Sequence, residues 1–291
     1  MMQNVRTFLV FALLAMIGNR SNAATKPHAV FVIGTLHYSP ERTMPVFARE
    51  LERFGFRTTL VTGQGDPEKK MEKVLPTLDL LKEADVAIFF SRFLQLPDRE
   101  WQPIEDYLLS GRPVIGLRTA NHSFRYPRTH ERFPWNSDFG RRALGSPYIV
   151  HQAGSTAIKV VPDQRKHPIL SHVARRQWTS PGTLYLARLE PGCLPLVMGT
   201  GKGRERFVRR DFGEFRVKEV ETAPVAWAWE NEWGGKTFYT SLGHPGDFAE
   251  ESVNRILINA ICWSTGHPLP DKEAKINTWQ IERMDKKKRK Q

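Results

Sequence analysis

The chain has 291 residues, of which 40% are hydrophobic and 25% are charged, a composition typical of globular proteins and unlike that of a disordered chain. It has only two cysteines, which excludes a disulfide-rich scaffold. The formal net charge of +12 is compatible with a polyanion ligand, but eight lysines and arginines and four acids lie from Asp271 onward. Part of this charge therefore belongs to a solvated tail, and we expect no specific nucleic-acid partner.

The first 23 residues have the pattern of a signal peptide. Arg6 supplies a positive charge, and residues 7–18 form an apolar run that is too short to span a membrane comfortably. Ser21 and Ala23 are small residues that precede a cleavage site. We therefore predict export, either to the periplasm or to the exterior, with no membrane span after cleavage. A short N-terminal anchor is the alternative interpretation.

Between residues 28 and 124, apolar runs alternate with helical patterns. The continuous apolar runs are typical of strands that are buried on both faces, and the helical patterns repeat apolar residues every three or four positions. This alternation predicts a parallel sheet of the α/β class. The predicted strands are residues 28–34, 57–63, 86–90 and 113–117, and the predicted helices are residues 42–56, 77–85 and 97–111.

The region of residues 125–221 is less regular, because it mixes proline, glycine, arginine and aromatic residues. We predict that it elaborates the sheet and partly covers it. The elements predicted in and after this region are strands at residues 156–161 and 193–199, a helix at residues 136–145, an exposed hairpin or mobile loop at residues 199–221, a final hairpin at residues 223–243 and an amphipathic helix at residues 250–266.

Residues 28–266 therefore form one predicted domain. Residues 267–291 are polar and basic without a core pattern, and we predict that they form a disordered tail. Cys193 and Cys262 lack the spacing of a metal site. They either form a single disulfide or remain free thiols, and the sequence leaves both alternatives open.

Three predicted strands end in loops that carry polar and aromatic side chains. The carboxyl ends of parallel strands meet at one edge of a sheet, where ligands bind, so we expect these side chains to converge. A histidine at such a position often only hydrogen-bonds to loop backbone, and the glycines near His244 favour a tight turn. The side chains are His37 and Tyr38 in the first loop, Arg118, Thr119, Asn121 and His122 in the second, and His244 in the third.

The second loop lacks the nucleophile of a catalytic elbow. Arg118 or Thr119 occupies the turn after Leu117, and the sequence has no G-x-S-x-G motif. Phosphate-binding and dinucleotide-binding fingerprints are also absent from the sequence. Three imidazoles from three loops could bind zinc, but the sequence has no metal-binding spacing. We therefore expect neither a metal nor a cofactor.

The side chains that remain suit a ligand rich in hydroxyl groups. Arginine, asparagine and histidine satisfy hydroxyls, and aromatic rings cover the C–H faces of a sugar. Trp135 and Tyr185 either supply such rings or belong to the core. We expect a small carbohydrate ligand, bound by His37, Tyr38, Arg118, Thr119, Asn121 and Trp135.

Four segments resemble the ThuA-like (trehalose-utilisation) family, within the class I glutamine amidotransferase-like superfamily. They are VFVIGTLHY at residues 30–38, residues 84–124 ending in PVIGLRTANHSF, HPIL at residues 167–170, and residues 224–266. The most specific piece is YTSLGH, immediately before the segment that leads to the final helix. The resemblance implies a flavodoxin-like, doubly wound, mainly parallel sheet with helices on both faces and an elaborated middle region.

Active amidotransferases of that superfamily carry a cysteine at the turn that Arg118 and Thr119 occupy here, so we expect no glutamine hydrolysis. ThuA-like proteins are associated with sugar utilisation, often near sugar oxidoreductases, and the resemblance implies such an enzyme as a partner. We predict an exported protein that acts on a glycoside or keto-sugar by acid–base chemistry, with His122 as the first and His244 as the second candidate for proton transfer. The alternative is a non-catalytic carbohydrate-binding or accessory module.

Overall fold

The computed structural model describes residues 25–63 and 75–282. The predicted signal peptide at residues 1–23 and the basic run at residues 286–290 lie outside the described residues. The strands are β1 (His28–Gly34), β2 (Arg57–Thr62), β3 (Val86–Ser91), β4 (Val114–Leu117), β5 (Val150–His151), β6 (Ala153–Val160), β7 (Gln177–Ser180), β8 (Tyr185–Leu186), β9 (Leu194–Lys202), β10 (Arg206–Arg210), β11 (Gly213–Val217), β12 (Val220–Glu230) and β13 (Lys236–Thr240). The α-helices are α1 (Pro40–Glu52), α2 (Asp98–Leu109), α3 (Trp135–Asp138) and α4 (Glu251–Thr265).

Nine of the described strands form one mixed sheet in the order β2-β1-β3-β4-β13-β12-β9-β6-β7. From β2 to β13 neighbouring strands are parallel, and from β13 to β7 they are antiparallel. The predicted α/β, flavodoxin-like class is confirmed. The elaborated middle region supplies much of the antiparallel half, and the predicted final hairpin (β12 and β13) joins the two halves.

Side chains of the parallel strands alternate between two cores on opposite faces of the sheet. Phe31 and Ile33 of β1 belong to a core that includes α1 and α4, whereas Val30 and Val32 belong to a second core that includes α2. All seven residues of β1 and all six residues of β3 are buried. Burial on both faces explains why these strands have a continuous rather than an alternating apolar pattern.

Several elements of the middle region differ in detail from the prediction. The helix predicted at residues 136–145 is α3 followed by a π-helical turn, Phe139–Ala143. β10 and β11 form a separate hairpin in the segment predicted to be one, with the ring of Phe207 exposed. β5 and β8 form a short ribbon that places His151 opposite Tyr185. Earlier in the chain, the helix predicted at residues 77–85 is a 3-10 helix, Leu78–Glu83.

The packed chain continues past the predicted end of the domain. The sequence assigns residues 267–291 to a disordered tail, but Asn277 donates two hydrogen bonds of 2.8 Å to the carboxylate of Glu50 in α1. The ring of Trp279 stacks on Phe248 at a centroid distance of 5.2 Å. A few apolar anchors in a polar segment are enough to hold it on the surface, and a periodic core pattern is not required.

The two cysteines are not paired, and no described helix could span a membrane. Cys193 and Cys262 are both free thiols, so the single disulfide is not formed. Burial raises the pKa of each thiol to about 12, which keeps both in the unreactive protonated form. Within residues 25–63 and 75–282, no helix combines the length and the apolar character that crossing a bilayer requires.

Candidate functional site

The turn after β4 is sharp and strained. Leu117 has extended backbone angles, and Arg118 follows with φ of 45° and begins a short 3-10 helix, Arg118–His122. Left-handed angles are uncommon for residues other than glycine and need support from the surrounding structure. The hydroxyl of Tyr239 donates a 2.5 Å hydrogen bond to the carbonyl of Arg118 and supplies that support. The turn therefore has the geometry of an elbow, with a guanidinium at its apex.

The guanidinium of Arg118 is buried and held from several sides. It lies 3.9 Å from the ring centroid of Tyr38 and 4.8 Å from that of Tyr185. Its Nη1 donates to the carbonyl of Ser241 at 2.6 Å, and its Nη2 donates to the hydroxyl of Thr183 at 3.3 Å. Burial lowers the pKa of Arg118, but Tyr185, Tyr38 and Asp247 raise it and outweigh burial. Arg118 therefore remains a cation inside the protein.

Tyr38 connects the first and third loops to Arg118. Its ring lies 4.3 Å from the ring of His37 and 5.8 Å from the ring of His244. Burial raises the pKa of Tyr38, but the charge of Arg118 and hydrogen bonds with Arg118, Tyr185 and Thr183 lower it below its ordinary value. The phenol is thus a better proton donor than an ordinary tyrosine.

His122 lies at the end of the same strained turn and is only 8% exposed. Its Nδ1 is 2.8 Å from Oδ1 of Asn121, and because an amide oxygen only accepts, Nδ1 carries the proton. Burial lowers the pKa of His122 well below its ordinary value, and the charges of Arg92, His37, Arg118 and His151 lower it further. His122 is therefore a neutral imidazole whose Nε2 offers a lone pair.

His244 has one ring nitrogen engaged in local structure. Its Nδ1 accepts a hydrogen bond of 3.1 Å from the amide of Gly246, while Asp247 accepts one of 2.9 Å from the amide of His244. These two bonds form a capping box at the start of a 3-10 helix, Pro245–Ala249. The tight turn expected around His244 is present, and it holds the ring beside Tyr38.

Tyr148 and His151 belong to this site but were not predicted from the sequence, whereas Tyr185 was predicted as either a ligand-contacting ring or a core residue. Tyr148 lies 4.3 Å from the ring of His122 and donates or accepts a 2.5 Å hydrogen bond with Nδ1 of His151. Tyr185 lies 5.8 Å from His122 and 5.0 Å from Tyr148. These residues come from the β5–β8 ribbon and its approach, where no strand of the parallel pattern ends, so the sequence carried little signal for them.

The remaining predicted residues have different surroundings. Thr119 is buried, and its hydroxyl has no hydrogen-bond partner among the described residues. Asn121 is buried and holds His122, as described above. Trp135 contacts Trp101 at 4.7 Å and stacks on Trp233 at 6.4 Å. Its ring therefore packs with the core that includes α2. It does not belong to the group of contacts around Tyr38, Arg118 and His122.

The predicted histidines do not form a metal centre. Across residues 25–63 and 75–282, no group of three or more histidine, cysteine, aspartate or glutamate side chains is arranged to hold a metal ion. The three loops meet through Tyr38, which contacts His37, His244 and the guanidinium of Arg118. The arrangement suits proton transfer and hydrogen bonding to a ligand.

The contacts join the predicted loops into one site: His244 contacts Tyr38, Tyr38 contacts Arg118, and Arg118 reaches His122 through Tyr185. His37, Tyr148 and Tyr185 complete this set, which we call the tyrosine–histidine crevice. Its deep residues, Tyr38, Tyr185 and His122, are nearly inaccessible, whereas His37 and Tyr148 are half-buried.

Two solved structures share this fold. A ThuA-like protein from Bacteroides uniformis ATCC 8492 is 18% identical, with a TM-score of 0.52, and the match covers 85% of this chain and 95% of that one. A ThuA-like protein from Parabacteroides merdae ATCC 43184 is 13% identical, with a TM-score of 0.51, and the match covers 84% and 93%. No curated protein matches the sequence significantly. The family model for ThuA, described as trehalose utilisation, matches residues 29–264, and the chain therefore belongs to the ThuA family, which associates it with carbohydrate utilisation.

Proposed function

We propose that the protein is an exported enzyme that moves protons on a glycoside or keto-sugar bound in the tyrosine–histidine crevice. The family supports a sugar ligand. The single observation that carries the chemistry is the placement of His122, a buried imidazole whose Nδ1 lies 2.8 Å from Oδ1 of Asn121 and whose pKa burial lowers. An imidazole fixed in this way has its Nε2 lone pair ready to accept a proton at neutral pH.

In this proposal His122 removes a proton from a hydroxyl or from a carbon next to a carbonyl. Tyr38 is the complementary acid, because its pKa is lowered by the adjacent Arg118. Arg118 is 1% exposed and already donates to Ser241 and Thr183, so its role is to position Tyr38 and to stabilise the phenolate. His244 supports Tyr38 from the other side and is the second candidate for proton transfer.

The test is turnover of a panel of glycosides and 3-keto-glycosides by the purified protein and by His122→Ala. We expect the variant to lose at least about 100-fold in kcat, because general acid–base groups contribute rates of that order, while sugar binding measured by calorimetry persists. His267→Ala is the control, because it removes another histidine, which is half-buried and contacts Phe54 and Phe56 beside the opposite, amino-terminal edge of the sheet.

A wild-type protein that binds these sugars and turns over none of them would contradict the enzyme proposal and favour the non-catalytic module. Export has a separate test, because it depends on residues 1–23. We expect cell fractionation to recover the protein outside the cytoplasm, with N-terminal sequencing beginning at Ala24. A sugar oxidoreductase that produces keto-sugars is the partner that fits this proposal.

A further inference from the structure

Four arginines surround the tyrosine–histidine crevice, and none of them forms an ion pair with a carboxylate of the described residues. Arg118 lies on Tyr38, and Arg210 lies 5.6 Å from the ring centroid of Tyr148. Arg206 donates to the carbonyl of His151 at 2.6 Å, and Arg92 lies 3.9 Å from the ring centroid of Phe93. Phe93 in turn contacts His122 at 5.6 Å.

Several arginines elsewhere on the protein are paired with a carboxylate. Arg128, Arg142 and Arg216, for example, each have a carboxylate partner on a neighbouring segment. Asp247 is the buried acid that raises the pKa of Arg118. Its carboxylate accepts hydrogen bonds from Ser180, Gly243 and His244 and not from Arg118. The described part of the crevice therefore keeps an excess of positive charge, and burying unpaired charge is costly unless a counter-charge arrives.

Arg92 is the arginine best placed to receive that counter-charge. It is only half-buried, and no hydrogen bond joins its guanidinium to another described residue, whereas Arg118, Arg206 and Arg210 are committed to neighbouring groups. It follows directly after β3, at the carboxyl edge of the sheet. Its charge acts on the crevice: it lowers the pKa of His122, and it interacts electrostatically with Tyr148 and Tyr185. A free guanidinium fork matches a carboxylate or phosphate in two-point geometry.

We propose that the crevice binds a sugar that carries an oxyanion, with the oxyanion on Arg92 and the sugar ring beside Tyr148 and His122. This inference rests on the proposed carbohydrate function. It narrows the substrate class of that function to sugars that carry an acidic group. A carboxylate and a phosphate ester have the same recognition chemistry, so the test includes both. Binding of the anion would supply the counter-charge that the described residues lack.

The experiment measures the Kd of glucose, glucuronate, glucose 6-phosphate and inorganic phosphate by calorimetry at low salt. We expect at least one acidic sugar to bind at least tenfold more tightly than glucose. Arg92→Gln should remove that difference while it leaves glucose binding unchanged, which also shows that the variant is folded. Arg57→Gln is the control, because it removes the same charge from the opposite edge of the sheet, where Arg57 begins β2.

The results test the acidic-sugar inference and the proposed carbohydrate function separately. Glucuronate preference indicates a sugar acid and glucose 6-phosphate preference indicates a sugar phosphate; either supports the inference when Arg92→Gln abolishes it. Equal binding of neutral and acidic sugars, or a preference that survives in Arg92→Gln, overturns the inference and leaves the carbohydrate function intact. Binding of inorganic phosphate without any sugar overturns the inference as well, and binding of no probe also contradicts the carbohydrate function.

Discussion

The guanidinium of Arg118 lies 3.9 Å from the ring centroid of Tyr38, and both side chains are almost inaccessible to solvent. The two residues come from loops that are 80 positions apart in the chain, after β1 and β4. A stacked cation lowers the pKa of the phenol and keeps its ring in place. The pair is therefore one unit, in which neither member keeps its properties without the other.

The first prediction concerns this pair. Arg118→Lys keeps the charge but loses the planar contact with Tyr38 and Tyr185, and we expect kcat on a turned-over sugar to fall at least about tenfold, since arginine and lysine are not equivalent at stacked sites. The control is Arg112→Lys, because Arg112 lies 4.5 Å from the ring centroid of Tyr107 and also donates to backbone carbonyls. Equal losses in both variants would show that the effect is only structural.

The second prediction concerns Asn121 as a positioning residue for His122. In Asn121→Asp, a carboxylate accepts the proton of Nδ1 and raises the pKa of His122, so the acidic limb of the pH–rate profile should move to higher pH. Asn121→Leu should leave the imidazole without its partner and destabilise the protein by about 1–3 kcal/mol. A pH profile that is the same in Asn121→Asp and wild type would contradict the assigned hydrogen bond.

The third prediction concerns stability in acid. The pKa of His122 is lowered on folding, so below about pH 6.5 the unfolded chain binds a proton that the folded protein does not. Stability contributed by the neutral imidazole is present above that pH and is lost as the pH falls. We expect the free energy of unfolding, measured with urea from pH 7 to pH 5, to decline less steeply in His122→Gln. The other histidines are common to both proteins, so identical slopes would refute the prediction.

The fourth prediction concerns the segment after α4. Trp279 stacks on Phe248 and lies 6.3 Å from the ring centroid of Phe47, and its amide donates to the carbonyl of Phe248 at 3.0 Å. Trp279→Ala should reduce the free energy of unfolding by about 2 kcal/mol, less than a fully buried tryptophan would cost. Thr278→Ala, which changes an exposed neighbouring residue, is the control and should unfold like the wild type. An unchanged urea midpoint in Trp279→Ala would show that the segment contributes no stability.

The parallel half of the fold could be predicted because its signal is local. A few consecutive residues are enough to recognise the continuous apolar runs of β1 and β3 and the glycines that bound the turns. The same logic placed His37, Tyr38, Arg118 and His122 at one edge, and their contacts join them. The family resemblance was also confirmed.

The rest of the site could not be predicted, because it depends on non-local pairing. His151 pairs with Tyr185 in a two-residue ribbon and Tyr148 precedes it; the ribbon is too short to leave a periodic pattern, so of these residues only Tyr185 was named, as either a ligand contact or a core residue. For Trp135 the sequence left open a ligand contact or a place in the core, and tertiary packing sets its ring against Trp101 and Trp233. The roles assigned to the site residues stay predictions until the variants above are measured.

The parallel half of the mixed sheet and the separate β5–β8 ribbon both contribute residues to the crevice. His37, Tyr38, Arg118 and His122 follow parallel strands, while Tyr148, His151 and Tyr185 belong to the β5–β8 ribbon and the segment before it. The site is thus assembled from separate stretches of the chain. Exchanging the ribbon between relatives would therefore change the aromatic rings beside His122 while Arg92 and the elbow at Arg118 stay on the parallel strands, so one wall of the crevice can vary without the other.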